Sequence, residues 1–288
     1  MTTLENGNGI PQIRIDARLP QQMAEKAESV GVAKIKAPRH RQFFLAILAG
    51  AFIALGAIFA TTVATGGEGL PYGVNKLLVG LVFSLGLILV IVGGAELFTG
   101  NNLIIMAWAS GKIRMWDVIR NWIIVYVGNF VGAFGTAVLM FFSKQYLFAG
   151  GGMGETMLKI AIGKVELEFL QAVVLGIMCN VLVCLAVWLT FSARSTIDRI
   201  MAIIFPITAF VAAGFEHSIA NMYFIPTGLL IKDYAPGFAA ATGLDLSMLT
   251  WQSFLINNLV PVTIGNLIGG VVLVGVMYWM IYLKDREA

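Results

Sequence analysis

The residues best suited to chemistry are Glu96, Glu216 and His217, three ionisable side chains inside long apolar stretches of the chain. A charged side chain at the centre of a bilayer costs roughly 2.5–3.5 kcal/mol on insertion scales, so these residues must face a polar interior, pair with backbone or line a cavity. We predict that the two glutamates accept hydrogen bonds from backbone N–H groups freed at helix breaks. Direct contact with a solute is the alternative.

His217 lies in the second of two polar interruptions, which occupy residues 94–102 and 214–221. Imidazole changes charge near physiological pH, so His217 could attract an anion, donate a hydrogen bond or lend a proton. The helices after the interruptions are predicted to begin near Asn101 and His217, close to mid-membrane. Because helix amino termini carry partial positive charge and free N–H donors, two of them meeting at one point favour a small anion.

Composition indicates a membrane protein. Of 288 residues, 58% are hydrophobic and 12% are charged, whereas a soluble domain of this size has about 25% charged residues. The net charge of +3 gives no support for a nucleic-acid partner. Cys179 and Cys184 lie about 140° apart on a helix, which favours packing over a disulfide or a metal site.

The hydropathy pattern predicts an all-α membrane protein with six transmembrane helices, because each apolar run approaches the roughly 20 residues that span a bilayer. A polar segment, residues 1–40, precedes them and contains a short amphipathic helix that begins at Pro20, with Met23, Ala27 and Val30 on one side. We expect this helix at the cytoplasmic bilayer surface. A channel domain, 41–284, and a cytoplasmic tail, 285–288, follow. The six runs are 42–64, 76–109, 117–142, 169–192, 199–230 and 254–283.

Basic residues predict the orientation. Of the 19 Lys and Arg residues, 14 lie in segments on the side of the amino terminus and five on the opposite side. By the positive-inside rule, both termini are predicted to be cytoplasmic. The expected location is a bacterial-type inner membrane.

The third and sixth runs share a Gly-Asn-x-x-Gly motif, at 128–132 and 265–269, and each follows an interrupted run. Three spans per unit require the second copy to be inverted, with repeats at about 41–142 and 169–284. Inverted repeats with broken helices commonly surround a central permeation site. The alternative is that these glycines only permit close helix contact.

Five blocks of the sequence resemble the formate/nitrite transporter family over residues 40–284. They are Phe-Ser-Leu-Gly-Leu at 83–87, Ala-Glu-Leu-Phe-Thr-Gly at 95–100, 180–188, 214–222 and 261–266. Residues 224–226 and 258–261 look most like the formate-channel branch, whereas Glu-Leu-Phe-Thr-Gly resembles nitrite-type members.

The resemblance implies an aquaporin-like protomer in a homopentamer, with one pore in each protomer. It implies that His217 is the central pore residue, faced by Thr99 from the first break. The implied outer constriction is Phe83 and Phe210, and the cytoplasmic one is Leu87, Leu97 and Phe98. The implied polar positions near the histidine or the outer vestibule are Asn180, Lys164 and Glu216, and Lys164 falls in a loop between the predicted spans. Supports of the helix breaks are expected at Glu96, Asn101 and Asn221.

The implied function is a channel for small monovalent anions, formate first, with nitrite or hydrosulfide as alternatives. A weak acid could be protonated near His217 and cross as a neutral molecule, or the histidine could keep one charge state in a channel gated by the amino-terminal helix. Water and glycerol channels usually carry Asn-Pro-Ala at both half-helix starts, and that motif is absent here. An enzyme would need a nucleophile–base pair or metal ligands at depth. We therefore expect no enzymatic activity, cofactor or metal.

Overall fold

The computed structural model describes residues 4–5, 11–12 and 17–285. Two short strands, β1 (Leu4–Glu5) and β2 (Pro11–Gln12), pair antiparallel. The α-helices are α1 (Pro20–Lys36), α2 (Arg39–Ala64), α3 (Tyr72–Gly93), α4 (Ile105–Ala109), α5 (Met115–Phe142), α6 (Gly152–Val165), α7 (Phe169–Thr190), α8 (Thr196–Ala212), α9 (Ser218–Tyr234), α10 (Pro236–Ala241), α11 (Val260–Leu267) and α12 (Met277–Tyr282). Short 3₁₀ segments occupy Gly67–Gly69, Gly100–Ile104, Gln145–Leu147 and Ala149–Gly151, and π-helical segments occupy Ser253–Leu259 and Ile268–Val276.

Within these residues, five continuous helices are long and apolar enough to cross a membrane: α2, α3, α5, α7 and the last span, Ser253–Tyr282. The predicted fifth span is divided between α8 and α9, each 17 residues long, on either side of the second break. The first break separates α3 from the 3₁₀ segment and α4. The structure thus confirms an all-helical bundle whose second and fifth spans are interrupted.

Both Gly-Asn-x-x-Gly motifs lie where two helices approach closely. A Cβ at Gly132 would meet the backbone of α2 at Ile47, and a Cβ at Gly269 would meet the backbone of α7 at Ile177. The α2–α5 contact in one half therefore has its counterpart in the contact between α7 and the last span. The two interpretations of the motif are compatible, because the same glycines mark the repeat and permit the close packing.

Helices α1 and α6 also correspond to each other, at a spacing of 130 residues. Met23, Ala27, Gly31 and Ile35 form part of the buried face of α1, and the matching residues of α6 are also buried: Met153, Met157, Ala161 and Val165. The sequence-based spans left α6 in a connection, so the loop placement of Lys164 is wrong: Lys164 lies in the last turn of α6. The apolar stripe of α6, a helix of 14 residues, is too short to be recognised as a membrane span.

Helix α1 lies at one end of the molecule and helix α6 at the other. Helix α1 packs against α12, so the amino- and carboxyl-terminal helices lie at one end, named here the α1 end. Helix α5 begins beside α1 and, at 28 residues or about 42 Å, carries the chain across to α6. That opposite side is named the α6 end.

Candidate functional site

The two breaks meet in the middle of the bundle. Thr99 from the first break and His217 from the second are both buried, and Thr99 Oγ1 lies 2.9 Å from His217 Nε2. These two residues, which the resemblance paired, are therefore in direct contact.

His217 is also the amino-terminal cap of α9. Its Nδ1 accepts a hydrogen bond from the backbone N–H of Ala220 at 3.1 Å. Because Nδ1 is an acceptor, the proton of the neutral ring resides on Nε2, which donates to the Thr99 hydroxyl. Sequence reasoning missed this capping role, although a polar residue directly before a helical pattern is its usual signal.

The backbone of each break is held by an asparagine from a Gly-Asn-x-x-Gly motif. Asn129 donates to the carbonyls of Ala46 and Glu96, at 2.8 and 2.9 Å, and accepts from the N–H of Phe98 at 2.9 Å. Asn266 makes the same three bonds in the second half, with Gly176 (2.8 Å), Glu216 (2.9 Å) and Ser218 (3.0 Å). These amides satisfy backbone groups that the interrupted helices leave free.

The two glutamates have partners other than those predicted. The carboxylate of Glu96 accepts from Lys34 Nζ at 2.9 Å and from Asn101 Nδ2 at 2.6 Å. Glu216 accepts from Lys164 Nζ and from Asn221 Nδ2, each at 2.7 Å. The carboxylates thus bind an ammonium and an amide, because Asn129 and Asn266 already occupy the backbone groups of the breaks.

Two further polar residues of this network, Lys34 and Asn121, escaped the sequence analysis, and a third, Asn258, was cited only as a branch marker. Asn101 donates to Asn121 Oδ1 at 3.0 Å, and Asn221 donates to Asn258 Oδ1 at 2.7 Å. The 130-residue spacing that pairs Lys34 with Lys164 also pairs Met23 with Met153 and could have revealed the correspondence.

Two cavities lie on opposite sides of the Thr99–His217 contact. The α1 vestibule, about 320 Å³, includes Lys34, Leu87, Glu96, Leu97 and Asn101 in its lining. The α6 vestibule, about 260 Å³, includes Phe83, Lys164, Phe210, Glu216, His217, Asn221 and Phe224. Each vestibule therefore holds one lysine–glutamate–asparagine cluster.

Aromatic rings surround His217 in the α6 vestibule. The Phe83 ring meets the Phe210 ring edge-on at 5.6 Å and stacks on the Phe224 ring at 6.5 Å. Phe210 lies 6.0 Å from the imidazole, between centroids. The structure thus brings Phe83 and Phe210 together, and it adds Phe224, which sequence reasoning cited only as a branch marker.

Of the three residues assigned to the other constriction, Leu87 and Leu97 line the α1 vestibule but Phe98 does not. The Phe98 ring packs on Tyr126 and Trp122, at centroid distances of 4.8 and 6.4 Å, in a lateral groove between α5 and the last span. Consecutive residues of a non-helical segment point in different directions, and the Phe98 N–H is fixed by Asn129. Phe98 therefore does not contribute to a constriction with Leu87 and Leu97.

Asn180 lies behind the contact between the breaks and is fully buried. Its amide donates to the carbonyl of Asn266 at 2.7 Å and to that of Thr99 at 3.4 Å. Cys184, one turn further along α7, also donates to the Thr99 carbonyl, at 3.4 Å. Asn180 thus positions Thr99 and lines neither vestibule.

A family profile described as formate/nitrite transporter matches residues 21–280. The formate channel FocA of Escherichia coli (strain K12) is 47% identical over 276 residues, covering 94% of this chain and 97% of the relative. The formate channel FocA of Haemophilus influenzae is 41% identical, covering 90% and 93%. A solved structure described as a pentameric formate channel with formate bound superposes with a TM-score of 0.80 at 49% identity, covering 85% of this chain and 98% of that one. An FNT family ion channel gives a TM-score of 0.78 at 26% identity, covering 90% and 98%. The resemblance noted in the sequence is confirmed, and this multi-pass membrane protein belongs to the formate/nitrite transporter family.

Proposed function

We propose that this protein is a formate channel that works as a homopentamer with one permeation path in each protomer. The relatives named above are formate channels, and the structure at 49% identity is a pentamer with formate bound. Transport of a small anion, without enzymatic chemistry, is consistent with the lysine of each vestibule, Lys34 and Lys164, that binds the glutamate of its break.

The observation that carries the proposal is the contact between Thr99 and His217, which separates the two vestibules. An anion that reaches this point can replace the Thr99 hydroxyl as the acceptor of the Nε2–H bond. The Thr99 hydroxyl, freed from that bond, can donate its own proton to the same anion. Formate can accept from both groups at once, because it has two carboxylate oxygens.

The vestibules guide the anion to this point. The ammonium groups of Lys34 and Lys164 attract negative charge at either entrance, and each is kept in place by a glutamate. Between the entrance and the centre lie apolar side chains, Leu87 and Leu97 on one side and Phe83 and Phe210 on the other. An unpaired charge costs several kcal/mol in such surroundings, so the constrictions favour a neutral or hydrogen-bonded form of the substrate.

Two mechanisms use this geometry. In the first, His217 takes up a proton at Nδ1, gives its Nε2 proton to formate, and formic acid crosses the constriction as a neutral molecule. Proton uptake at Nδ1 breaks the bond to the Ala220 N–H, so it is coupled to the start of α9. In the second, His217 stays neutral and only donates a hydrogen bond. We favour proton exchange because it removes the charge before the apolar constriction.

The α1 end is proposed to face the cytoplasm of a bacterial-type cell, because the excess of Lys and Arg lies with the amino-terminal segment. The packing of α1 on α12 supports placing both termini on that side. Residues 286–288 of the predicted tail and most of 1–16 lie outside the described residues.

The decisive experiment is flux into proteoliposomes that contain the purified protein, with formate, nitrite and hydrosulfide compared at two external pH values. Formate flux that exceeds the other two and rises in acid supports the proposal. A preference for nitrite or hydrosulfide would assign another substrate to the same path. Osmotic water and glycerol flux in the same vesicles tests the neutral-solute alternative, and anion flux absent from folded protein would refute the channel.

A further inference from the structure

The α1 vestibule is much more basic than the α6 vestibule. Its lining contains four cationic side chains, Arg18, Lys26, Lys34 and Arg199, and one carboxylate, Glu96. The lining of the α6 vestibule contains two lysines, Lys76 and Lys164, and one carboxylate, Glu216. The first lining therefore has three more cations than carboxylates, and the second has one more.

The correspondence between the two halves shows which cations are additions. Lys34 and Lys164 are counterparts, since each binds the glutamate of its own break. The other three cations have uncharged counterparts at spacings of 130 and 120 residues: Phe148 for Arg18, Thr156 for Lys26 and Val79 for Arg199. Val79 lines the α6 vestibule, as Arg199 lines the α1 vestibule, which supports this register.

The three added cations belong to the lining of the α1 vestibule. Arg18 Nη1 donates to the carbonyl of Phe191 at 3.0 Å, which holds the guanidinium against the vestibule. Arg18, Lys26 and Arg199 are half-buried, and among residues 17–285 the ion pairs of the structure include none of the three. Guanidinium groups bind phosphate through two parallel hydrogen bonds, which the ammonium groups of the α6 vestibule cannot do.

The α1 vestibule has a volume of about 320 Å³ and the α6 vestibule about 260 Å³, so the excess of cations, not the size, distinguishes the two. We propose that the α1 vestibule is a binding site for a multiply charged oxyanion of the phosphate class, held by Arg18, Lys26 and Arg199. Such an ion carries too much charge to pass Leu87 and Leu97, so a bound oxyanion closes this entrance to monovalent anions. The closure, unlike the binding, rests on the proposed channel function.

Binding is tested by titration calorimetry of the purified protein in detergent with inorganic pyrophosphate at constant ionic strength. The variant R18F/K26T/R199V copies the residues of the other half and should weaken binding about tenfold or more. R199V alone keeps the test informative if the triple variant does not fold, and should weaken binding about threefold or more. The control R41A removes an exposed cation at the same end, outside the vestibule lining, and should leave the affinity within about twofold.

A wild-type protein that binds no pyrophosphate, or a folded R199V or triple variant that binds it as tightly as wild type, would overturn the site. Repeating the titration in nanodiscs of phosphatidylcholine with and without phosphatidic acid identifies the source of the phosphate. Weaker pyrophosphate binding with phosphatidic acid indicates that a lipid headgroup occupies the site, and unchanged binding indicates a soluble oxyanion.

Closure is tested in proteoliposomes that transport formate. Pyrophosphate added on the side of the α1 end should inhibit formate flux through wild type and R41A but not through the triple variant. Pyrophosphate added on the other side should have no effect. Pyrophosphate that binds but inhibits from neither side would disprove closure. If the folded protein transports no formate, the proposed channel function is refuted, but the calorimetric test of the oxyanion site still stands.

Discussion

Thr99 Oγ1 and His217 Nε2 lie 2.9 Å apart although 118 residues separate them in the chain. Thr99 comes from the break in one half of the molecule, and His217 comes from the break in the other. Because the Ala220 N–H occupies Nδ1, the ring can offer only its Nε2 side to a permeating anion. Capping and donation are therefore done by different nitrogens and can be separated by mutation.

Replacing His217 with asparagine should abolish the acceleration of formate flux at low external pH. Asparagine is among the best amino-terminal caps, so its side-chain oxygen can accept the Ala220 N–H and keep the start of α9. The variant then keeps the cap of α9 but loses the titratable imidazole together with its Nε2–H donor. Initial rates of uptake into proteoliposomes between about pH 5 and 8, corrected for leakage through empty vesicles, measure the effect.

The control for this variant is H40N, since His40 is the other histidine of the chain and is exposed. H40N should keep the wild-type pH profile. An unchanged pH profile in folded H217N would refute proton exchange at His217 and leave the neutral-donor mechanism.

Replacing Thr99 with valine should lower formate flux about three- to tenfold, while serine should retain most of it. Valine keeps the branched shape but removes the hydroxyl, so the anion loses a donor worth about 0.5–1.5 kcal/mol. Initial rates at saturating formate for T99V and T99S provide the comparison. Equal rates in T99V and wild type would show that the Thr99 hydroxyl does not contact the anion.

Much of the architecture could be predicted because lipid imposes strong constraints on sequence. A polar stretch such as 94–102 inside an apolar run must be a break, and two such breaks followed by the same Gly-Asn-x-x-Gly motif indicate a repeat. Those features predicted the six spans, the interrupted helices and the region around His217.

The missed features depend on side-chain direction and on long-range partners. Lys34 is 62 residues from Glu96, so no local pattern identified it as the counterpart of Lys164. Asn180 lies in an apolar helix, where the rotation that turns it toward Asn266 instead of a vestibule is not encoded locally. Phe98 and Leu97 are adjacent residues of a non-helical segment, and long-range contacts of Phe98 with Asn129, Trp122 and Tyr126 accompany its placement away from the vestibule.

Removing Lys164 alone should destabilise the protein more than removing the whole ion pair. In K164M the carboxylate of Glu216, whose side chain is 7% exposed, loses its ammonium partner. Breaking a buried pair costs about 3–5 kcal/mol, and the 16% exposure of Lys164 reduces that to about 1–3 kcal/mol. K164M/E216Q should recover most of the thermal stability, because the neutral amide of glutamine needs no cationic partner at this buried position.

Thermal unfolding of the detergent-solubilised protein measures this difference, and flux assays follow the stable variants. K34M and K34M/E96Q form the matched set at the α1 end, where the lysine side chain is 25% exposed and the loss should be smaller. A double variant less stable than K164M would show that Glu216 does more than balance the charge of Lys164.

The close contact between α2 and α5 can be tested with two glycines of one helix. A Cβ at Gly132 would collide with the backbone carbonyl of Ile47, whereas nothing lies within 4 Å of a Cβ at Gly135. G132A should therefore force the two helices apart and lower the yield of folded protein severely. G135A should fold and gain about 0.5–1 kcal/mol from the higher helix propensity of alanine. Size-exclusion chromatography and thermal unfolding compare the two variants.

The inverted repeat predicts the same result in the other half. In G269A, the new Cβ would meet the backbone of Ile177, the residue that corresponds to Ile47. The repeat correspondence thus predicts that G132A and G269A fail alike, because each glycine lies one turn from the asparagine that holds its break. If G132A folded as well as G135A, the helices could separate without loss, and the close packing would not be what positions Asn129 on the first break.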